Sequence, residues 1–172
     1  MSNKIKDLIN SQMKPKERVS KIVESIKTDT SLFNEVMEIF RNGSDVEKGT
    51  CAEVMKFVSK DNPEFVIPYL DELINNINHK ASRVKWGVPE SIGNLAKNYP
   101  KEVQKAIPNL LKNTNDKSTV VRWCAGYAIS EIVKYNNEIR DELIPKINNI
   151  IKQEKNNGVR NLYLKAIKHI GN

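Results

Sequence analysis

Two stretches of the chain hold both of its tryptophans. Ser82 to Gly93 reads SRVKWGVPESIG, and Thr119 to Ser130 reads TVVRWCAGYAIS. In each, a valine, a base and a tryptophan follow in order: Val84-Lys85-Trp86 and Val121-Arg122-Trp123. An indole offers a broad apolar plane with one N–H donor, and Trp, Tyr and Arg are the side chains enriched where proteins grip a partner. A base beside it can pair with a carboxylate or a phosphate. That is recognition chemistry. Bond-making chemistry has no comparable set in the sequence: there is no Gly-rich phosphate loop, no nucleophile motif and no metal-ligand spacing. Cys51 and Cys124 are far apart with no Cys or His cluster near them, and His79 and His169 are isolated. Two reduced, buried thiols are the expectation, with no metal and no cofactor.

The elements that position these residues emerge from a search for internal repeats. Aligned on their valines, two further copies appear: Val46 opens VEKGTCAEVMKF and Val159 opens VRNLYLKAIKHI. The four valines are spaced 38, 37 and 38 residues apart. Eight residues after each stands Val54, Ile92, Ile129 or Ile167, and eleven after stands Phe57, Leu95, Ile132 or Ile170. Between these segments a second element recurs, marked by the pairs Ile67-Pro68, Ile107-Pro108 and Ile144-Pro145. Both elements carry the i, i+3, i+4, i+7 apolar spacing of helices. Each unit therefore reads as two antiparallel helices, with the second helices starting near Asp45, Ala81, Asp116 and Asn157. Earlier in the chain, a helix is expected from Pro15 and another up to Asn42-Gly43, behind a short capping helix in the first dozen residues. The expectation is all-α: about ten helices in one domain over 1–172, with a cap and a degenerate repeat over 1–43 and clearer repeats over 44–172.

Here the sequence resembles the HEAT-repeat, armadillo-like α-solenoids. Their pattern places a proline in the first helix, an acid in the turn, then Val-Arg opening the second helix. Pro108, Asp116 and Val121-Arg122 match it, as do Pro145, Glu154 and Val159-Arg160. The Val84 unit has His79 in the turn and Lys85 for the arginine, and the Val46 unit has Arg41 and Glu47, a reversed pair. The resemblance implies a right-handed superhelix of stacked helix pairs. It also implies an inter-repeat acid–base ladder of Asp116, Arg122, Glu154 and Arg160, and a concave face lined by second helices.

A helix turns about 100° per residue, so with the valine at 0° the apolar positions centre near about 20° and the tryptophans fall near about 200°, away from the core. Positions 2, 6, 9 and 13 after the valine are then expected outward. They include Ala52, Met55 and Ser59 in the first unit, Gly93 in the second and Ser130 in the third. The expected face carries Lys48, Lys85, Trp86, Glu90, Trp123, Tyr127, Asn161, Lys165 and Lys168, with Trp86 and Trp123 as neighbours. Pro89, inside the second helix, is expected to kink it.

The charge agrees with an anionic partner. The chain carries 28 Lys and Arg against 21 Asp and Glu, a net +7. Only six of the bases are arginines, so most of the excess is lysine spread over helix exteriors. No apolar run approaches the ~20 residues of a membrane span or the pattern of a signal peptide, and a cytoplasmic location is expected. The reading is a non-catalytic binding scaffold for a protein or peptide, with no membrane partner. The alternative is nucleic-acid binding. Trp86 and Glu90 resemble the tryptophan-plus-carboxylate face of HEAT-like DNA alkylation-repair glycosylases. That resemblance implies that the indole stacks on the substrate and the carboxylate stabilises developing positive charge.

Overall fold

The computed structural model describes residues 3–171. Every regular element among them is helical. The helices are α1 (Lys4–Ile9), α2 (Pro15–Thr28), α3 (Leu32–Asn42), α4 (Asp45–Asp61), α5 (Pro63–Val66), α6 (Leu70–Asn76), α7 (Ser82–Leu95), α8 (Pro100–Val103), α9 (Ile107–Asn113), α10 (Thr119–Tyr135), α11 (Arg140–Gln153) and α12 (Asn157–Ile170). Single 3-10 turns join α5 to α6 and α8 to α9, so the described chain makes ten rods in five pairs. The breaks coincide with Ile67-Pro68 and Ile107-Pro108, because proline has no N–H for the i−4 carbonyl.

Local chemistry sets the helix starts. Ser44 accepts from the Glu47 N–H while the Glu47 carboxylate accepts from the Ser44 N–H at 2.8 Å, a closed capping box. Ser118 and Asn156 cap α10 and α12 by accepting from Val121 and Val159. Second helices start at Asp45, Ser82, Thr119 and Asn157. Asp116 sits before its helix, with its carboxylate accepting from the Ser118 N–H at 2.8 Å. α7 continues through Pro89, which is buried.

The second helices α4, α7, α10 and α12 stack directly on one another. Two glycines permit the approach. A Cβ at Gly87 would lie 2.5 Å from the Ala52 carbonyl, and one at Gly93 would lie 2.8 Å from the Tyr127 ring. Each interior second helix is therefore buried on three sides: by its own first helix and by both stacked neighbours. Val54, Ile92, Leu95, Ile129 and Ile132 are fully buried.

The three-sided burial corrects several sequence expectations. Ala52, Met55, Ser59, Gly93 and Ser130 were expected outward and are all buried against stacked helices. Conversely, Val46 is 67% exposed and Phe57 44% exposed, because α4 turns Ala52 and Met55, rather than its valine edge, into the stack. Ile167 was expected in the core and is half-buried, since no helix covers the far side of α12 among the described residues.

The burial contrast predicts a stability contrast. Ile129→Ala should cost ~2–5 kcal/mol in urea unfolding, the usual loss for a buried aliphatic. Ile167→Ala should cost clearly less.

Candidate functional site

One arc of each second helix stays open. On α7 it carries Arg83, Trp86, Glu90 and Asn94, and on α10 Val120, Trp123, Tyr127 and Glu131. The two sets share the spacing i, i+3, i+7, i+11, so they lie side by side across the stacked pair. Glu53 and Lys56 of α4 continue the strip on one side. Asn161, Lys165 and Lys168 of α12, all exposed, continue it on the other.

Side-chain bonds tie the strip together across helices. The Tyr127 hydroxyl donates to the Asn94 Oδ1 at 2.6 Å. The Asn94 Nδ2 donates to the Lys56 carbonyl and to the Ser59 Oγ, each at 3.0 Å. One asparagine thus joins α10 to α4 through α7. Arg83 pairs with Glu53 at 2.6 Å, and Lys56 approaches Glu90 at 3.9 Å. The Cys124 thiol also donates to Glu90, at 3.5 Å. Lys134 pairs with Glu131. Every carboxylate in this strip is answered by a neighbouring base. Burial, then the nearby carboxylates of Glu131 and Glu90, push the Tyr127 hydroxyl up to about 12. Burial pushes the Cys51 thiol up to about 12 and the Cys124 thiol up as well, which keeps both protonated and unreactive at neutral pH.

The tryptophans occupy different settings. Trp123 is 36% exposed and stacks on Tyr127 of its own helix, with centroids 5.9 Å apart and planes 3° from parallel. The stacked ring pair on the face is Trp123 with Tyr127, and Trp86 holds the matching position on α7. Trp86 is half-buried and walls a pocket of about 260 Å³ with Glu53, Lys56, Arg83, Glu90 and Val120. Its indole N–H is sealed from solvent and has no hydrogen-bond partner. Lys48 lies half-buried in the first turn of α4.

Lys85 departs from the expected face. Its ammonium donates to Asp116 at 2.6 Å, one repeat further on. Arg122 does the same to Glu154, at 2.8 and 3.3 Å, and also donates to the Asp116 carbonyl at 3.0 Å. Each acid then accepts from a backbone N–H two residues ahead: Ser118 for Asp116, and Asn156 for Glu154 at 2.7 Å. The rung thus runs from the base of one unit to the acid of the next, not within a unit. Arg160 has no following rung and donates to Asn157. Arg41 instead clamps Glu72 with two bonds, at 2.8 and 2.7 Å. The Arg122 hydrogen bonds hold the Glu154 carboxyl below the usual carboxylate range. For Asp116, burial pushes upward, and the bonds from Lys85 and Ser118 outweigh it, so that carboxyl is also lowered.

Asn94, Glu131, Lys56, Arg83, Glu53 and Val120 escaped the sequence reading. The signal was present in the 37-residue spacings of Arg83 to Val120, of Trp86 to Trp123 and of Asn94 to Glu131. It was obscured by treating each second helix as buried on one side only.

No protein-family model matches the chain, and no curated protein is significantly similar to it. Solved structures do match. One is a designed armadillo repeat protein in complex with the peptide (KR)4, 17% identical, covering 96% of this chain and 80% of that one, with a TM-score of 0.77. Another is an engineered protein, 16% identical over 98% and 80% of the two chains, with a TM-score of 0.78. A third belongs to computationally designed armadillo repeat proteins for modular peptide recognition, 17% identical over 96% and 80%, with a TM-score of 0.75. The chain has an armadillo-type solenoid fold. In this right-handed α-solenoid the strip is the surface of the stacked second helices, and the ladder lies along its edge. No helix of the described solenoid is long and apolar enough to cross a membrane.

The lowered Glu154 pKa fixes a pH dependence. Its contribution to stability is complete above the unfolded carboxyl value and is lost as pH falls through the folded one. Glu154→Gln should cost about 1.5–3 kcal/mol at pH 7, the usual worth of hydrogen bonds to a charged group. The gap from the parent should narrow as pH falls below about 4, near the unfolded carboxyl value, when both are followed by urea unfolding.

Proposed function

We propose that the chain is a non-catalytic scaffold that binds an extended, acidic peptide segment across its stacked second helices. One observation carries this reading. The large hydrophobic side chains left exposed among the described residues are Val46, Phe57, Val120, Trp123, Tyr135 and Leu164, and all six lie on second helices. First helices, which cover the opposite surface, expose none of this kind. Two of the six, Val120 and Trp123, lie one turn apart on the strip, and apolar groups left exposed together on one face mark a contact surface. The stacked Trp123–Tyr127 pair supplies a rigid anchor of the type that dominates binding energy.

Charge chooses the partner. The strip's own carboxylates are matched by Arg83, Lys56 and Lys134, which leaves other bases uncommitted. Lys60 and Lys97, 37 residues apart, lie exposed near the C-terminal ends of α4 and α7, and Lys165 and Lys168 lie exposed on α12. An acidic segment crossing the helices meets these lysines while its apolar side chains meet Val120 and Trp123. Similar solenoids are described as binding peptides, one of them the basic (KR)4. These lysines reverse that preference here. Glu90, the carboxylate beside Trp86, is held by Lys56 and Cys124, so it is a structural partner rather than a group aimed at substrate.

Fluorescence anisotropy tests the proposal. A labelled peptide alternating Glu and Leu should bind, and (KR)4 should not. Trp123→Ala should weaken binding by at least ~2 kcal/mol, about 30-fold, as expected of a central tryptophan. Duplex DNA binding more tightly than the peptide, with a salt slope near −0.9 per phosphate, would replace the peptide reading with a nucleic-acid one.

A further inference from the structure

One contact between second helices differs from the rest. α4, α7, α10 and α12 close on one another where a glycine lies in the interface: Gly49 against Arg83, Gly87 against Ala52, Gly93 against Tyr127 and Gly126 against Tyr163. α2, the second helix of the first pair, also packs on α4, but its sequence PKERVSKIVESIKT holds no glycine. Its side chains keep the two helices further apart, and a groove of about 460 Å³ opens between them. Ser20, Val23, Glu24 and Lys27, on one side of α2, form one wall, and Phe57 of α4 forms the other. The Phe57 ring is 44% exposed. Counted from the helix starts at Asp45, Ser82 and Thr119, it holds the place that Asn94 has on α7 and Glu131 has on α10. The groove is therefore continuous with the strip and lies inside the stack, between two described helices.

We infer, resting on the peptide reading of the strip, that this groove is a second anchor site for the same acidic segment. A large apolar side chain of the segment, such as leucine, seats beside Phe57 while another meets Trp123. Charge chooses the segment over a second copy of the chain. On the α2 side the charges cancel: Lys27 pairs with Asp61 at 3.1 Å, Lys21 lies 3.6 Å from Glu24, and Lys16 adjoins Glu17 in sequence. On the α4 side Glu53 is taken by Arg83 at 2.6 Å. What is left over is basic. The Lys56 ammonium lies 4.9 Å from the centre of the Phe57 ring and only loosely, at 3.9 Å, from Glu90, and Lys60 is exposed one turn on. Two copies meeting here would set these lysines against each other, whereas glutamates flanking an anchor pair with them. Geometry sets the spacing of the anchors. The groove lies two and a half helix spacings from the α10 axis, at ~8–10 Å each. Phe57 and Trp123 are also offset by eight residues when counted from their helix starts, ~12 Å along the axis. The anchors are thus about 25 Å apart, which an extended chain spans in about eight residues at ~3.3 Å each. An even separation also turns both side chains to one face, since successive residues of an extended chain alternate.

Fluorescence anisotropy with labelled Glu–Ser peptides of one length tests the site on the whole chain. One peptide carries a single leucine, and three carry two leucines separated by four, eight or twelve residues. The eight-residue spacing should bind about tenfold or more tighter than the single leucine, the scale of burying one further leucine. The other two spacings should gain little. Phe57→Ala, a change at an exposed position, should return the eight-residue peptide to the single-leucine level. Ser20→Trp, which fills the groove from the α2 wall, should do the same with the helical circular dichroism intact. Trp123→Ala should weaken all four peptides. If the eight-residue spacing gains nothing over the others, or if its gain survives both groove variants, the inference is overturned while the strip remains the peptide surface. If no peptide of the set binds, the peptide reading and the second anchor fall together. A chain that dimerises alone and that Phe57→Ala returns to a monomer also overturns the inference, because a second copy then fills the groove.

Discussion

The close approach of α4 and α7 is the constraint on which the rest of the molecule depends. Gly87 lies against the Ala52 carbonyl so tightly that a methyl group would meet it at 2.5 Å. Two helices can approach so closely only where one has no side chain. Once they do, the second helices form a continuous layer, and each interior one has only one narrow arc open to solvent. That arc is too narrow to hold the usual mixed surface of a soluble helix. What it does hold (Trp86, Trp123, Tyr127, Asn94 and a few paired charges) is therefore concentrated into a strip. The same approach aligns the base at the start of one second helix with the acid in the next turn. The ladder and the strip are two consequences of one packing distance.

The charges divide between two tasks. Lys85 and Arg122 hold neighbouring repeats together, and their carboxylates are lowered by the same contacts. Ion pairs with the low exposure of Arg122 and Glu154 act less as a source of net stability than as a register lock, since breaking one partner strands the other. On the strip, Glu53, Glu90 and Glu131 are each neutralised locally by a base.

Much of this was legible in the residues, and what was missed shares one cause. The repeat period, the start of α4 at Asp45 and of α12 at Asn157, and the burial of Ile92 and Ile129 follow from spacing alone. The outward placement of Trp123 followed from its angle to the valine. The errors at Ala52, Met55, Gly93 and Ser130 arose because apolar periodicity reports the face toward the first helix. It is blind to neighbours stacked on the flanks, where small residues such as Gly, Ala and Ser suffice. Gly87 and Gly93 carried that information, since glycines inside a helix at repeat-related positions signal close backbone approach. Which base meets which acid in the inter-repeat ladder was hidden for a different reason. Asp116 and Arg122 are near in sequence, but side chains that join repeats reach the next unit rather than their own.

The two indoles allow a direct test of the claim that the stacked second helices form the binding surface. Each gives one resolved signal in a nitrogen–proton correlation spectrum. Trp123 is partly open on the strip, while the Trp86 N–H is sealed beneath it. Titration with an acidic, leucine-containing peptide should move the Trp123 indole signal saturably, with a matching change at the Tyr127 ring. If both indole signals stay fixed while the peptide demonstrably binds, the partner sits elsewhere and the strip is not the binding surface.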